Sequence, residues 1–169
     1  MRSAILEKGE KYYTYMGKIF NAIEDEQLKY NWLITDFECY PRSESIAGLF
    51  SKEKEYVWLS GKSLTDIINE EDFQFIWAVF SGFSLDITLD EVLKHDLPYA
   101  SEYEGYWADN VCIQHSLSDI EIVAWDSTLT LFICKNDDLV KKFMRNLPLS
   151  ADLSSQNSRY NAEMALKQK

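Results

Sequence analysis

The stretch VCIQHSLSDIEIVAWDSTLTLFICK, residues 111–135, contains three short apolar segments separated by polar links. Its pattern predicts strands at Val111–His115, Ile120–Asp126 and Leu129–Lys135, because apolar and β-branched residues alternate within each segment. Both links are short enough for tight hairpins, which join antiparallel neighbours. We therefore expect this part of the chain to form a three-stranded antiparallel unit.

Three further strand segments precede that unit. Tyr30–Tyr40 and Glu55–Ser60 are rich in aromatic and β-branched residues, and Asp72–Phe83 is apolar on both faces, as in a central strand. A buried helix is the alternative for Asp72–Phe83, but its aromatic density and the closing Ser81-Gly82 favour a strand. Together the segments predict an α+β fold with a mainly antiparallel sheet of five or six strands and helices packed on at least one face.

Helices are predicted from apolar spacing and from capping residues. The capping residues are Ser63 with Asp66 for the second helix, Thr88 with Glu91 for the third and the run Asn136-Asp137-Asp138 for the fourth. Charged residues near both ends of the fourth helix also suit the helix dipole. The helices are expected at residues 4–28, Leu64–Asn69, Leu89–His95 and Leu139–Asn146.

The chain changes character near its C-terminus. From Pro148 onward it is polar, and residues 154–158 read SSQNS without apolar periodicity. We therefore expect one globular domain over residues 1–147, followed by a polar and loosely ordered tail over residues 148–169. At most a weak helix is expected within that tail, at Asn161–Gln168.

The charge of the chain is unevenly distributed. Its 28 acidic and 17 basic residues give a formal net charge of −11. Residues 61–110 carry −9 of that charge, with eleven acids against two lysines. Such a field repels nucleic acids and anionic membranes, and it attracts basic proteins. The alternative explanation is that the acidity serves solubility alone.

The sequence also indicates a compartment. No segment approaches the roughly 18 consecutive apolar residues of a membrane span, and residues 1–17 lack the apolar core of a signal peptide. Three widely separated cysteines, Cys39, Cys112 and Cys134, suit a reducing environment. We therefore expect a cytoplasmic protein that binds neither membranes nor nucleic acids.

Motifs of common catalytic sites are missing. The six glycines stand singly, without phosphate-loop or dinucleotide-binding spacing, and no serine lies in a G-x-S-x-G elbow. Cys112 and His115 supply too few ligands for zinc, and residues three apart on a strand point to opposite faces. We therefore expect no metal, no cofactor and no enzymatic activity.

Two alternatives to a binding protein stay open. Asp36 with Glu38, and Asp119 with Glu121, lie two residues apart in or beside predicted strands, so each pair can share a face. Paired carboxylates perform general acid–base chemistry, which would suit an enzyme acting on a small polar substrate. A small-ligand sensor or a homodimeric scaffold is the other alternative.

The segment PYASEYEGYWADN, residues 98–110, interleaves aromatic and acidic side chains. Exposed aromatic residues among carboxylates are typical of a surface that binds a basic protein, with Tyr106 and Trp107 as anchors. The alternative is that the segment is a lid that buries its aromatic residues on the sheet. The partner-binding residues predicted from the sequence are Asp90, Glu91, Glu102, Tyr103, Glu104, Tyr106, Trp107 and Asp109.

Residues 55–107 (EYVWLSGKSLTDIINEEDFQFIWAVFSGFS followed by LDITLDEVLKHDLPYASEYEGYW) and residues 119–143 (DIEIVAWDSTLTLFICKNDDLVKKF) carry a family resemblance. In their rhythm of strands and helices and in their acidity, they resemble small bacterial immunity proteins of polymorphic toxin systems. The resemblance implies a stoichiometric inhibitor that occupies the active site or nucleic-acid cleft of a cognate toxin. A toxic nuclease has a basic cleft, so an acidic inhibitor would suit it.

Overall fold

A computed structural model describes residues 2–167, and it confirms the α+β class and the antiparallel sheet. The sheet has seven strands rather than five or six, in the order β3-β2-β4-β5-β6-β1-β7. Every neighbouring pair is antiparallel. The strands are β1 (Arg2–Leu6), β2 (Tyr30–Cys39), β3 (Tyr56–Ser60), β4 (Phe75–Ser84), β5 (Ile120–Trp125), β6 (Leu129–Cys134) and β7 (Ala151–Asp152).

Helices and two 3₁₀ turns, Glu26–Lys29 and Glu104–Trp107, connect the strands. Within residues 2–167, none of the helices combines the length and the apolar character needed to cross a bilayer. The helices are α1 (Met16–Ala22), α2 (Glu44–Leu49), α3 (Gly61–Glu70), α4 (Leu89–Val92), α5 (Asp137–Asn146) and α6 (Leu153–Lys167).

The β5–β6 hairpin and the central strand β4 agree with the sequence predictions. Trp125 pairs with Leu129 at the end of the hairpin, and β4 lies between β2 and β5. Nearly every residue of β4 is buried or half-buried, because side chains pack on both of its faces. The segment Asp72–Phe83 is thus mainly a strand, and the buried-helix alternative is wrong.

The predicted helix over residues 4–28 is wrong in its first part. Residues 2–6 form strand β1, which pairs with β6, and only Met16–Ala22 is α-helical. Ala4, Ile5 and Leu6 are all buried, on alternating sides of the sheet. A strand buried on both faces has no polar alternation, so its apolar run also fits a helix pattern.

The predicted strand at Val111–His115 is absent, and that segment is irregular. Its backbone is bound by a side chain instead of a neighbouring strand. Carboxylate oxygens of Glu121 accept hydrogen bonds from the backbone N–H groups of Gln114, at 2.9 Å, and His115, at 3.0 Å. The segment therefore crosses over the sheet rather than joining it.

The C-terminal segment also differs from its prediction. We expected residues 148–169 to be a loose tail; in the described part, Ala151–Asp152 forms β7 beside β1, and Leu153–Lys167 forms α6. Leu153 and Asn157 are buried, so this helix is attached to the body of the protein. Met1, Gln168 and Lys169, which belonged to the predicted domain and tail, lie outside the described residues.

Helix capping was predicted correctly in two of three cases. Thr88 and Glu91 form the expected capping box at α4, although the helix ends at Val92 instead of His95. The side chain of Asn136, the first residue of the predicted capping run, accepts from the backbone N–H of Asp138. Helix α5 therefore begins at Asp137, two residues earlier than expected. Helix α3 begins three residues earlier than expected, because Ser60 rather than Ser63 caps it.

The two faces of the sheet are covered differently. Helices α1, α2, α3 and α5, the helical layer, pack on one face around a large apolar cluster that includes Phe80, Ile122 and Phe132. The opposite face is covered by residues 85–119, the covering layer, together with α6. Because the covering layer contains the predicted partner-binding residues, the sheet presents them all on one side of the molecule.

Candidate functional site

The two layers differ strongly in charge. The covering layer contains eight acidic residues and one lysine, Lys94, for a formal charge of −7 with histidine neutral. The four helices of the helical layer contain five acidic and five basic residues, for a formal charge of zero. The covering layer thus carries −7 of the formal net charge of −11, and this charge sets the sign of the local field around it.

Hydrogen bonds attach the predicted binding segment, residues 98–110, to the sheet. The hydroxyl of Thr35 on β2 donates to the carbonyl of Pro98 at 2.7 Å. The carboxylate of Asp36 accepts from the backbone N–H groups of Ala100, at 2.7 Å, and Ser101, at 2.8 Å. The segment thus enters the covering layer as a fixed turn rather than as a free loop.

That turn ends on a constrained acidic residue. The N–H of Tyr103 donates to the carbonyl of Ala100 at 3.2 Å, and Glu102 between them has φ of +65°. Left-handed backbone is unfavourable for a residue with a Cβ atom and is more usual for glycine. Since the turn is fixed at Asp36, the backbone at Glu102 has a defined position, from which the exposed side chain extends at the surface.

Helix α6 holds the other end of the segment. The side-chain amide of Asn157 donates to the carbonyls of Tyr106 and Ala108, both at 2.9 Å. One turn later, the amide of Asn161 donates to the carbonyl of Trp107 at 3.3 Å and to the carboxylate of Asp109 at 2.8 Å. The segment expected to be a loose tail therefore supports the candidate site.

Tyr106 is not available to a partner, which corrects its predicted role as an anchor. Its side chain is fully buried, its ring packs against Tyr103 and Trp125, and its hydroxyl is bonded to Gln114. Burial raises the pKa of Tyr106 well above its usual value of 10. For this residue, the alternative of a lid over the sheet is correct.

The aromatic residues around Tyr106 leave an open recess on the surface. The recess, of about 520 Å³, is lined by Glu102, Tyr103, Glu104, Trp107 and Trp125. The Trp107 and Trp125 rings lie 5.0 Å apart between centroids and are perpendicular, and both side chains are half-buried. We name this group the aromatic–acidic recess.

The two glutamates of the recess are unpaired within the part of the chain that the structure describes. Both are exposed, and no lysine or arginine of residues 2–167 forms an ion pair with either. Likewise, no described cation lies over the ring of Trp107 or Trp125. The recess therefore offers aromatic faces and negative charge that are free for an external group.

The other predicted site residues lie outside the recess. Asp109 is bound by Asn161, while Asp90 and Glu91 belong to α4, over a separate apolar cluster around Val92. Hydrogen bonds from the Thr88 hydroxyl and backbone N–H lower the pKa of Glu91. Asp90, Glu91 and Asp109 thus add to the charge of the covering layer without lining the cavity.

Trp125 belongs to the recess, and the sequence did not reveal this. It ends strand β5, and its ring lies 5.0 Å from the Trp107 ring and 5.0 Å from the Trp77 ring, measured between centroids. Because side chains alternate along a strand, the sequence indicates only that Trp125 faces the same side of the sheet as Val123. The contact with Trp107 depends on the path of the covering layer, which no local pattern specifies.

Glu121, one member of a predicted carboxylate pair, is buried under the covering layer. It accepts from the hydroxyl of Ser81, at 3.2 Å, and from the two backbone N–H groups of residues 114 and 115. Burial raises the pKa of Glu121 to about 7, although these three donors oppose the shift. Glu121 does not line the aromatic–acidic recess, and its bonds to residues 114 and 115 fasten the covering layer to the sheet.

His115 and Cys112 do not form a site together. His115 is buried, with Nε2 at 3.2 Å from the carbonyl of Val92 and Nδ1 accepting from the N–H of Leu117, whereas Cys112 is exposed. Burial lowers the pKa of His115, which favours a neutral ring. Across residues 2–167, no group of three His, Cys, Asp or Glu side chains is placed to hold a metal ion.

The second predicted carboxylate pair, Asp36 with Glu38, lies beside another open recess of about 460 Å³. Asp36 binds the backbone of the covering layer, and Glu38 accepts from the hydroxyl of Tyr40 at 2.7 Å and lies 3.8 Å from Lys52. Both carboxylates are thus occupied by other parts of the chain. The recess also contains Lys52 and Lys54, so it lacks the uniform charge of the aromatic–acidic recess.

Comparisons with protein-family models, with curated proteins and with solved structures found no match to this chain. The function is therefore inferred from the geometry and charge of the covering layer.

Proposed function

We propose that this chain is a protein-binding domain, and specifically an immunity-type stoichiometric inhibitor of a basic toxin. The observation that carries the proposal is the aromatic–acidic recess, in which Glu102 and Glu104 lack a cationic partner among the described residues. Carboxylates at a binding surface commonly pair with cationic side chains, and the cations that pair with Glu102 and Glu104 would come from a second macromolecule.

The charge of the covering layer supports the same function. A layer of formal charge −7 on one side of the sheet accelerates the approach of a basic protein and orients it before contact. The same field disfavours nucleic acid as a partner. Asp90, Glu91 and Asp109 would act mainly through this long-range attraction.

The recess would supply most of the contact energy. Tryptophan, tyrosine and arginine dominate the energetics of protein interfaces, and half-buried Trp107 and Trp125 present rigid aromatic area. Glu102, Tyr103 and Glu104 would surround these rings. Tyr106 would contribute by supporting the rings from beneath rather than by touching the partner.

A survival experiment tests the inhibitor function directly. The gene beside that of this chain would be searched for a secreted protein with a basic C-terminal domain, and that domain would be expressed in a bacterium with and without the chain. We expect the domain alone to stop growth and the wild-type chain to restore it. If the neighbouring domain is toxic and the chain neither binds it nor restores growth, the proposal is wrong.

Matched charge variants locate the interface. The recess double variant, Glu102→Gln with Glu104→Gln, removes two carboxylates from the covering layer. The control double variant, Glu44→Gln with Glu70→Gln, removes two exposed carboxylates from the helical layer. We expect the recess variant to lower the association rate with the domain by about tenfold at low salt, and the control to change it by less than about twofold.

The salt dependence of the association rate separates long-range electrostatic attraction from direct contact with the partner. Raising NaCl from about 50 to about 300 mM should slow association of the wild type with the domain far more than that of the recess double variant. Equal salt dependence of the two proteins would show that Glu102 and Glu104 do not guide the partner.

A further inference from the structure

Two indole rings form a right-angled corner inside the aromatic–acidic recess. The planes of Trp107 and Trp125 are 90° apart, with centroids 5.0 Å from each other, and Tyr103 lines the same cavity. A flat group that enters this corner can stack on one ring while its edge meets the other. Aromatic faces attract cations because the ring quadrupole is negative above the plane.

The acidic side chains stand beside that corner. Glu102 and Glu104 are exposed, line the cavity, and form no ion pair within residues 2–167. The turn that carries Glu102 is anchored by three hydrogen bonds to Asp36, so the backbone at Glu102 has a defined position at the edge of the recess before any ligand arrives. A cavity that combines aromatic faces with unpaired carboxylates favours a cationic ligand.

The form of the cavity favours a guanidinium group over an ammonium group. A guanidinium is planar, is weakly hydrated, stacks on aromatic rings, and donates two parallel hydrogen bonds to a carboxylate. An ammonium is compact and strongly hydrated, and it gains less from an open recess of about 520 Å³ that leaves it in contact with water. Arginine is therefore the side chain that uses both the ring faces and the two carboxylates.

We infer that the aromatic–acidic recess binds an arginine side chain of the partner protein, stacked against Trp107 or Trp125 and paired with Glu102 or Glu104. This inference rests on the proposed function, and it adds the chemistry of the group that enters the surface. It is specific to one cavity, whereas the proposed function concerns the whole covering layer.

Short peptides test this site without the toxin. Acetyl-Gly-Arg-Gly-amide would be titrated into the full chain at low salt, and the indole N–H resonances would be followed by NMR. The matched peptides contain lysine or citrulline, which is the neutral counterpart of arginine. Single Trp107→Phe and Trp125→Phe variants would assign the two recess resonances among those of the five tryptophans.

We expect the arginine peptide to shift the Trp107 and Trp125 resonances saturably, with a dissociation constant on the order of 10 mM. The lysine peptide should bind at least about threefold more weakly, and the citrulline peptide should cause no saturable shift. The recess double variant should weaken arginine binding by about fivefold or more, while the control double variant should match the wild type.

Two results would overturn the inference: equal binding of the citrulline and arginine peptides, or equal loss of arginine binding in the recess and control double variants. The outcome is separable from that of the survival experiment. If the arginine peptide binds but the chain does not protect against the toxin, the arginine site is supported and the inhibitor function is wrong. If the chain protects but does not bind the arginine peptide, the inhibitor function is supported and the arginine site is wrong.

Discussion

The side-chain amide of Asn157 donates to the backbone carbonyl of Tyr106 at 2.9 Å, and this bond joins the last helix to the candidate site. The same amide also donates to the carbonyl of Ala108. Asn157 and Tyr106 are both buried, so the Tyr106 carbonyl would have no access to water in place of the amide. The position of Trp107, which lies between the two carbonyls in the sequence, therefore depends on a helix that does not line the recess.

We predict that Asn157→Ala destabilises the protein by about 1–3 kcal/mol, because it leaves the buried carbonyl of Tyr106 without a donor. The free energy of unfolding would be measured by urea denaturation. Near-ultraviolet circular dichroism should also lose part of the tryptophan signal, since Trp107 is no longer held against Trp125.

Asn161→Ala is the matched control for that variant. It removes the same side chain one turn later on α6, but Asn161 is exposed and its acceptors can turn to water. We expect a loss of about 0.5 kcal/mol or less. If the two variants lose equal stability, the buried bonds from Asn157 do not hold the site.

The central strands were predictable because their sequence signals are local. In β6, Leu131 and Ile133 alternate with Phe132 and Cys134, and these two sets enter the apolar clusters on opposite faces of the sheet. A strand with apolar residues at a period of two, bounded by turn residues, can be recognised from its local sequence alone. For the same reason the capping box at Thr88 was found at its correct position.

The missed elements depend on distant partners. Strand β1 is specified by its pairing with β6, more than 120 residues away, and β7 consists of only two residues beside β1. The segment at 111–115 has the apolar content of a strand, but the Glu121 side chain takes two of its backbone donors. No local pattern encodes these choices, because tertiary contacts decide them.

The candidate site was predictable in part. The composition of residues 98–110 identified the acidic and aromatic segment, and Glu102, Tyr103, Glu104 and Trp107 all line the recess. The sequence could not separate buried Tyr106 from half-buried Trp107, since adjacent residues in a 3₁₀ turn have no fixed inner face. It also gave no signal for the supporting role of Asn157.

Glu102 is expected to make the unbound protein less stable than glycine would at the same position. Its φ of +65° is unfavourable for a residue with a Cβ atom, so Glu102→Gly should stabilise the fold by about 0.5–1 kcal/mol. The same change removes a carboxylate of the recess, and we expect it to weaken arginine binding. Urea denaturation and the peptide titration measure the two effects.

Glu102→Gln separates the backbone effect from the charge effect at this position. It should weaken arginine binding as Glu102→Gly does, but without the gain in stability, because glutamine keeps the Cβ atom. A gain in stability for the glutamine variant equal to that for glycine would mean that charge repulsion, and not backbone conformation, is the cost at residue 102.

Glu121 should make stability depend on pH. Its carboxyl has an ordinary pKa of 4.5 and a folded-state pKa of about 7, so between these pH values the folded state keeps a proton that the unfolded state has released. Raising the pH through this window therefore lowers the free energy of unfolding, by up to about 3 kcal/mol. Glu121→Gln cannot ionise, so its stability relative to the wild type should rise over the same window.

The comparison at each pH removes the contribution of His115, which has the opposite sign. Burial lowers the pKa of His115, so its share of stability is lost as the pH falls below the ordinary value of 6.5. Both proteins contain this histidine. A stability difference between them that stays constant from about pH 4.5 to about pH 8 would mean that Glu121 is ionised to the same degree in the folded and unfolded states.

Two glycines in helices should respond oppositely to alanine. A Cβ atom at Gly61 would lie 2.1 Å from the carbonyl oxygen of Gln27 and 2.9 Å from that of Tyr30, whereas one at Gly48 would meet nothing within 4 Å. The atoms near Gly61 belong to the backbone, and the Gln27 carbonyl also accepts from the indole N–H of Trp32 at 3.0 Å, so they cannot move independently. The close approach of α3 to the 3₁₀ turn at Glu26–Lys29 therefore requires glycine at residue 61.

We predict that Gly61→Ala lowers the free energy of unfolding by about 3 kcal/mol, through overpacking. Gly48→Ala should raise it by about 0.5–1 kcal/mol, because alanine is the better helix former at an exposed position. Urea denaturation of both variants measures the contrast. A Gly61→Ala protein as stable as the wild type would show that α3 can move away from the turn, and that its close packing there is not needed for the fold.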